Sequence, residues 1–348
     1  MTRIVILSYN LLQKLSCVLR DLFAMNPSMQ TMKKANTSTQ PQSETPFNIE
    51  DLNIFDDDML QVILRNCGFG LTVEKLARSL HGVNDGLIQR IERNLLSSQL
   101  SNFLQALHSS IPESFVAADR RDVLQALFWE LTYWKTPDLY EELIAGEQLH
   151  PGIFQQLEPE VHNKVVLDAG AGSGRATFEC VKYGARKLYA VEPSPGLLHI
   201  LRRKITCQAG SCCVSPLQGR FDKLPLEDNS VDTALSCSAF TSDPVQGGES
   251  GLTALRRVIK PGGKLIIIWP RAQDHGWFNK HSFCYVELPL HEEMLMRFRT
   301  LESAMRCVQH FYANNAGIVD FIRRARKPEI PFSMLGLNPP CDYYWLRV

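Results

Sequence analysis

No stretch of 18 or more apolar residues occurs in the 348-residue sequence, so no segment reads as a bilayer-spanning helix. Neither charge is in excess: 37 Lys and Arg balance 37 Asp and Glu, and that balance gives no argument for a nucleic-acid or anionic-membrane partner. Local basic runs such as Arg202-Arg203-Lys204 and Arg323-Arg324-Ala325-Arg326-Lys327 read as solvated helix ends. The ten cysteines contain no C-x-x-C pair, and their one cluster, Cys207, Cys212 and Cys213, lacks zinc-ligand spacing, so no metal is expected. Scattered cysteines of this kind read as reduced thiols in a cytoplasmic protein. No secretory signal is expected either: the run Ile4-Val5-Ile6-Leu7 is short, interrupted soon after by Ser8, Tyr9 and Asn10, and followed by no small-residue cleavage site. Residues 1–46 are therefore expected to be a leader and a flexible Ser/Thr/Gln/Pro-rich linker. What the chain does have is 45% apolar residues, enough for one large domain and a smaller one.

The most informative segment runs from Val165 to Arg175, Val-Val-Leu-Asp-Ala-Gly-Ala-Gly-Ser-Gly-Arg. An apolar strand leads into an acidic residue and three alternate glycines, which make room for a ligand at the carboxyl end of a buried parallel strand. Two nucleotide loops fit poorly. A dinucleotide fingerprint needs a third glycine where this chain has Arg175 or Thr177, and a P-loop needs a lysine that is not there. Asp168 would also repel a pyrophosphate on the following helix N-terminus, and it suits a ligand that presents an ammonium.

From Asp168, Gly170, Gly172 and Gly174 onward the sequence resembles the class I S-adenosylmethionine-dependent methyltransferases. Further matches follow in order. A helix-like stretch, Ala176 to Tyr183, precedes a second strand, Lys187 to Val191, that ends in Glu192. Gly219 to Asp232 resembles the third and fourth motifs of that family, in Leu224-Pro225 and Asn229-Ser230-Val231-Asp232 above all. Leu255 to Trp269 resembles its helix, Pro-Gly-Gly turn and fifth strand, with the glycines ending the helix. The resemblance covers about residues 164–270 and implies S-adenosylmethionine as methyl donor. It implies cofactor contacts from Asp168, Ala169, Gly170, Ala171, Gly172, Gly174, Glu192, Pro193 and Ser236. Where many relatives have an Asp-Ala pair near the adenine this chain has Arg220-Phe221, so Phe221 and Asp222 are the adenine-side candidates.

Ahead of this segment the apolar spacing is helical from about Asp51 to Leu149, with one stripe at Leu124, Leu127, Phe128, Leu131 and Trp134. Two shorter stripes, Leu71 to Leu80 and Leu87 to Leu95, flank His81-Gly82-Val83-Asn84, where Asn84 is placed to cap the second helix. That outline suits a DNA-reading module with Gln89, Arg90 and Arg93 exposed, or a helical cap that dimerises the protein and covers the active site. Tyr133, Trp134 and Tyr140 are candidates for an aromatic substrate wall, since a ring beside a sulfonium gains a cation–π contact.

Beyond Trp269, Ser282 to Leu288 reads as a sixth strand and Tyr343 to Val348 as a terminal strand, while Leu295, Phe298, Leu301, Met305, Val308 and Phe311 mark one face of a long helix. The expected architecture is α/β, a Rossmann-like seven-stranded sheet with its last strand antiparallel. It is divided into 1–46, a helical segment 47–149, and a methyltransferase domain 150–348 with a helical insertion around 291–326. Asp243, His275 and His281 are the candidate bases, needed only if an acceptor must lose a proton. A small-molecule acceptor is the leading expectation. A SAM-binding regulator that uses its helices on DNA or a protein partner remains open, as does a protein or RNA methyltransferase, although Ser236-Cys237-Ser238-Ala239 does not match the Asn/Asp-Pro-Pro-Tyr/Phe motif of amino-nitrogen enzymes. A homodimer through the N-terminal helices is the expected assembly.

Overall fold

The computed structural model describes residues 46–65, 69–208, 210–313 and 315–348, so the expected leader and most of the expected linker lie outside the described residues. Among the described residues, a short 3-10 turn and eight helices come ahead of the first strand: α1 (Asp57–Arg65), α2 (Val73–Ser79), α3 (Asp85–Asn94), α4 (Ser97–Leu107), α5 (Glu113–Ala126), α6 (Phe128–Lys135), α7 (Pro137–Gly146) and α8 (Gly152–Val161). Local chemistry starts them where the sequence indicates. The Thr72 hydroxyl accepts from Lys75 N–H, and the Asn84 amide oxygen from Leu87 N–H, so both short helices are capped by side chains. The apolar stripes face inward: Leu76, Leu80, Leu87, Ile91, Leu127, Leu131 and Trp134 are all buried in one cluster with Phe55 and Phe103.

The sheet is formed by β1 (Val165–Ala169), β2 (Lys187–Glu192), β3 (Val214–Gln218), β4 (Val231–Cys237), β5 (Ile259–Ile268), β6 (Cys284–Glu287) and the final strand, here β9 (Asp342–Arg347). Their spatial order is β3-β2-β1-β4-β5-β9-β6. The first five pair in parallel, and β9 runs antiparallel to both of its neighbours, as expected. Alternate residues serve opposite faces. Val166, Leu235 and Ile266 pack with α8, with α9 (Arg175–Lys182) and with α10 (Pro195–Cys207). Leu167, Ala234 and Leu265 pack with α11 (Gly248–Val258) and α12 (His275–Lys280). The strand order reverses between β1 and β4, which is where an open α/β sheet offers a ligand crevice at its carboxyl edge. Residues 44–348 form one compact unit, so the helical segment has its own apolar cluster without separating from the sheet.

Two expectations are corrected. The Pro-Gly-Gly turn does not end α11, which stops at Val258 with Ile259 already extended. Instead the glycines lie inside β5, where pairing with β4 jumps from Val231–Ile259 to Thr233–Lys264. A Cβ on Gly263 would lie 2.6 Å from the Asp232 carbonyl oxygen and 2.6 Å from Ile259 Cγ2. Gly263→Ala is therefore expected to cost roughly 1–3 kcal/mol, as other overpacked sites do, seen as a lower thermal midpoint.

The long helix predicted from Leu295 is also shorter than its apolar face suggests. Leu295–Arg297 is β7, paired antiparallel with β8 (Glu329–Pro331), and α13 begins only at Leu301, capped by Thr300. Met296 and Phe298 are buried on either side of exposed Arg297, a period of two that the helical spacing concealed. With α14 (Ala316–Ala325) and α15 (Phe332–Leu335) these elements make up the insertion between β6 and β9.

Candidate functional site

The carboxyl ends of β1, β2 and β4 open onto a cavity, which α1, α6 and α7 cover with Met59, Val62, Tyr133 and Tyr140. The glycine loop forms its floor. Gly170, Gly172 and Gly174 have φ of +73°, +58° and +104°, the left-handed region that glycine enters without a Cβ penalty. Their roles differ. The N–H groups of Gly170 and Ala171 both donate to the Val191 carbonyl, tying the loop to β2. Around the Gly172 Cα there is open space, with no heavy atom within 4 Å of a built Cβ. Gly174 does not line this cavity. A Cβ there would come within 2.6 Å of the Phe178 ring and 2.8 Å of Leu201, so the third glycine serves helix packing.

Two acidic side chains close the floor. Thr177 donates its hydroxyl to Asp168 Oδ2 at 2.6 Å, while Asp168 Oδ1 is buried without a hydrogen-bond partner. Burial raises this carboxyl to about 6 from a usual 3.8, against the hydrogen bonds from Thr177 and the attraction of Arg175. At the end of β2, Glu192 receives Gly172 N–H at 2.8 Å and Ser194 N–H at 2.9 Å, one on each oxygen. Burial again dominates and lifts it to about 7. Pro193 and Phe221 also line the cavity. Phe221 packs edge-on against Phe240 at 5.2 Å between ring centres.

Several candidate residues lie elsewhere. Ala169 and Ser236 are buried in their strands, and the Ser236 hydroxyl accepts from Phe240 N–H. Asp222 is gripped by the Arg220 fork, with two bonds of 3.1 Å. Trp134 packs into the helical core against Phe55 at 5.5 Å and does not line the cavity, whereas Glu130 and Tyr133 of the same helix do. None of the three candidate bases lines the cavity. Asp243 caps a 3-10 turn by accepting Val245 N–H. His275 packs against Tyr285 and Tyr344, and His281 stacks on Trp277 and pairs with Glu249 at 2.9 Å. Of the basic residues proposed for DNA, Arg90 is committed to Asp57 and to the Asn53 and Phe55 carbonyls, while Gln89 and Arg93 stay exposed.

Three charged cavity residues were missed by the sequence reading. Arg175, directly after the last glycine, pairs with Glu147 at 3.0 Å and lies over the Trp269 ring at 5.3 Å. Glu130 on α6 and Arg220 are the other two. The signal for Glu130 was available: it is the one acid in the aromatic helix Phe128-Trp-Glu-Leu-Thr-Tyr-Trp-Lys. Glu147→Ala is expected to cost on the order of 3 kcal/mol, because the Arg175 guanidinium, 15% exposed, would be left without its partner. Chemical denaturation of variant and wild type measures it.

Residues 167–267 match the family model for a methyltransferase domain. A methyltransferase-like protein of Schizosaccharomyces pombe is 32% identical over 122 residues, 34% of this chain and 43% of that protein. A methyltransferase of Mycobacterium tuberculosis is 35% identical over 114 residues, 32% of this chain and 42% of that one. The chain thus spans less than half the length of these curated relatives. A SAM-dependent methyltransferase structure from Aquifex aeolicus is 24% identical, with a TM-score of 0.34 over 38% of this chain and 70% of that chain. The parallel strands that bring Asp168, with one oxygen unpartnered, and the open Gly172 to one crevice lie at the start of the segment that matches the methyltransferase-domain model, residues 167–267.

Proposed function

We propose that this chain transfers a methyl group from S-adenosylmethionine to a small-molecule acceptor held between the glycine loop and a lid formed by the helical segment 47–149. The observation that carries the cofactor half is the orphaned Asp168 Oδ1, since a buried carboxylate oxygen without a partner awaits a donor. The residues present fit the cofactor. Gly172 leaves the space an aminoacyl group needs, and each Glu192 oxygen keeps a lone pair free for a ribose hydroxyl beside the backbone N–H it already accepts. Phe221 supplies an apolar edge for a base. Bound there, the cofactor would supply an activated methyl on a sulfonium. The protein's part is then to align the acceptor and exclude water, which the lid side chains Met59, Val62, Tyr133 and Tyr140 suit.

A cavity roofed by α1, α6 and α7 favours a small acceptor over a polymer. Calorimetric titration with S-adenosylmethionine tests the cofactor assignment. Wild type is expected to bind, and Glu192→Ala to bind at least about tenfold more weakly through loss of a charge-assisted contact. No heat with the wild type rejects the reading.

A further inference from the structure

The cavity is lined by both signs of charge, but most of those charges already have partners. Arg175 is paired with Glu147 at 3.0 Å, and Arg220 is held by both oxygens of Asp222. Asp168 and Glu192 lie at the floor, bound to Thr177 and to the backbone of the glycine loop and Ser194. Glu130 differs from all of these. It projects from the lid helix α6 into the same cavity, and no described residue hydrogen-bonds or ion-pairs with it. One turn along the helix is Tyr133, whose ring meets Tyr140 edge-on at 4.8 Å, and both tyrosines line the cavity. Neither phenolic hydroxyl is bonded to a described residue.

An unpaired carboxylate in a half-closed cavity costs free energy unless a ligand supplies the missing cation. Aromatic rings around a carboxylate are the chemistry that recognises an ammonium, through an ion pair on one side and cation–π contacts on the other. We infer that Glu130, with Tyr133 and Tyr140, forms the acceptor subsite and that the acceptor is a small amine. The inference rests on the methyltransferase reading and names its substrate class.

The chemistry balances with the groups present. An ammonium held at Glu130 passes one proton to a carboxylate oxygen, which frees the nitrogen lone pair. That pair forms the new nitrogen–carbon bond as the methyl–sulfur bond breaks, and the electrons of the broken bond stay on sulfur. Burial, set against the attraction of Arg220, raises the Glu130 carboxyl to about 7, which suits a group that must alternate between the two states. The same lid acid is among the charges that raise Glu192 across the cavity.

Calorimetry on the full chain separates this inference from the reading beneath it. S-adenosylhomocysteine is titrated first, into wild type and Glu130→Gln. If wild type does not bind it, the methyltransferase reading fails. With that compound saturating, 2-phenylethylamine, 2-phenylethanol and 3-phenylpropionate are compared as probes of similar shape and different charge. Wild type is expected to bind the amine at least about tenfold more tightly than the alcohol, and the propionate least. Glu130→Gln, shown to be folded by its own S-adenosylhomocysteine titration, is expected to lose that preference. An amine preference that survives the substitution overturns the role of Glu130. Equal or tighter binding of the alcohol overturns the amine acceptor, as does no binding of the amine by the loaded protein.

Discussion

Gly172→Arg is expected to weaken S-adenosylhomocysteine binding by at least about a hundredfold while leaving the protein folded, a split that few glycine substitutions would give. The residue has φ +58°, so any side chain there pays the left-handed penalty of roughly 1–2 kcal/mol. It pays little else, because nothing lies within 4 Å of a built Cβ. The guanidinium must then extend from the cavity floor into the space Asp168 and Glu192 border. For a unit of this size the strain corresponds to a thermal midpoint only a few degrees lower. Gly170→Ala supplies the contrast two residues earlier. Its Cβ would stand 2.6 Å from Ala239 Cβ and 3.1 Å from the Phe221 ring, so folding and binding are expected to fall together. Thermal melts and calorimetry on both variants separate a blocked site from a damaged loop, and wild-type affinity in Gly172→Arg would show that the ligand binds elsewhere.

The difference between those two glycines was beyond the sequence, although the loop itself was legible. A strand that ends in Asp168 and alternate glycines announces a ligand crevice through local geometry, and the resemblance carried by the ordered motifs that follow implied a seven-stranded sheet with its last strand antiparallel, as found. Side-chain direction is decided by packing between distant segments, and there the reading failed. Tyr133 and Trp134 are neighbours on one aromatic helix, yet Tyr133 lines the cavity and Trp134 fills the core against Phe55. Periodicity marked the stripe that holds Trp134 and said nothing of which of its helical neighbours border the cavity. Histidines drew attention as bases because of their chemistry, but His275 and His281 are spent on aromatic packing and on Glu249. Glu130 belongs to no family motif and lines the cavity because α6 packs over the carboxyl edge of the sheet.

Raising the pH from about 5 to 7.5 is expected to destabilise the ligand-free protein and to strengthen its hold on S-adenosylhomocysteine, two trends of opposite sign from the same carboxyls. In the folded state burial lifts Asp168 to about 6 and Glu192 to about 7, while in the unfolded chain both return to ordinary values near 4. Between those limits the folded protein holds protons that the unfolded chain has released. Their contribution to stability is thus fully present below about pH 4 and is lost as the pH passes through about 6 and then 7, on the order of 3 kcal/mol for each group. Binding runs the other way, because an ammonium and ribose hydroxyls favour the ionised carboxylates. The dissociation constant is expected to fall about tenfold from pH 5.5 to 7.5. Asp168→Asn isolates one group: it should flatten the decline of the ligand-free thermal midpoint with pH relative to wild type and remove part of the pH dependence of binding. Thermal midpoints and calorimetric affinities at four or five pH values read both effects. A wild-type affinity that is flat or that weakens as the pH rises would mean that these buried carboxyls are not the groups that hold the cofactor.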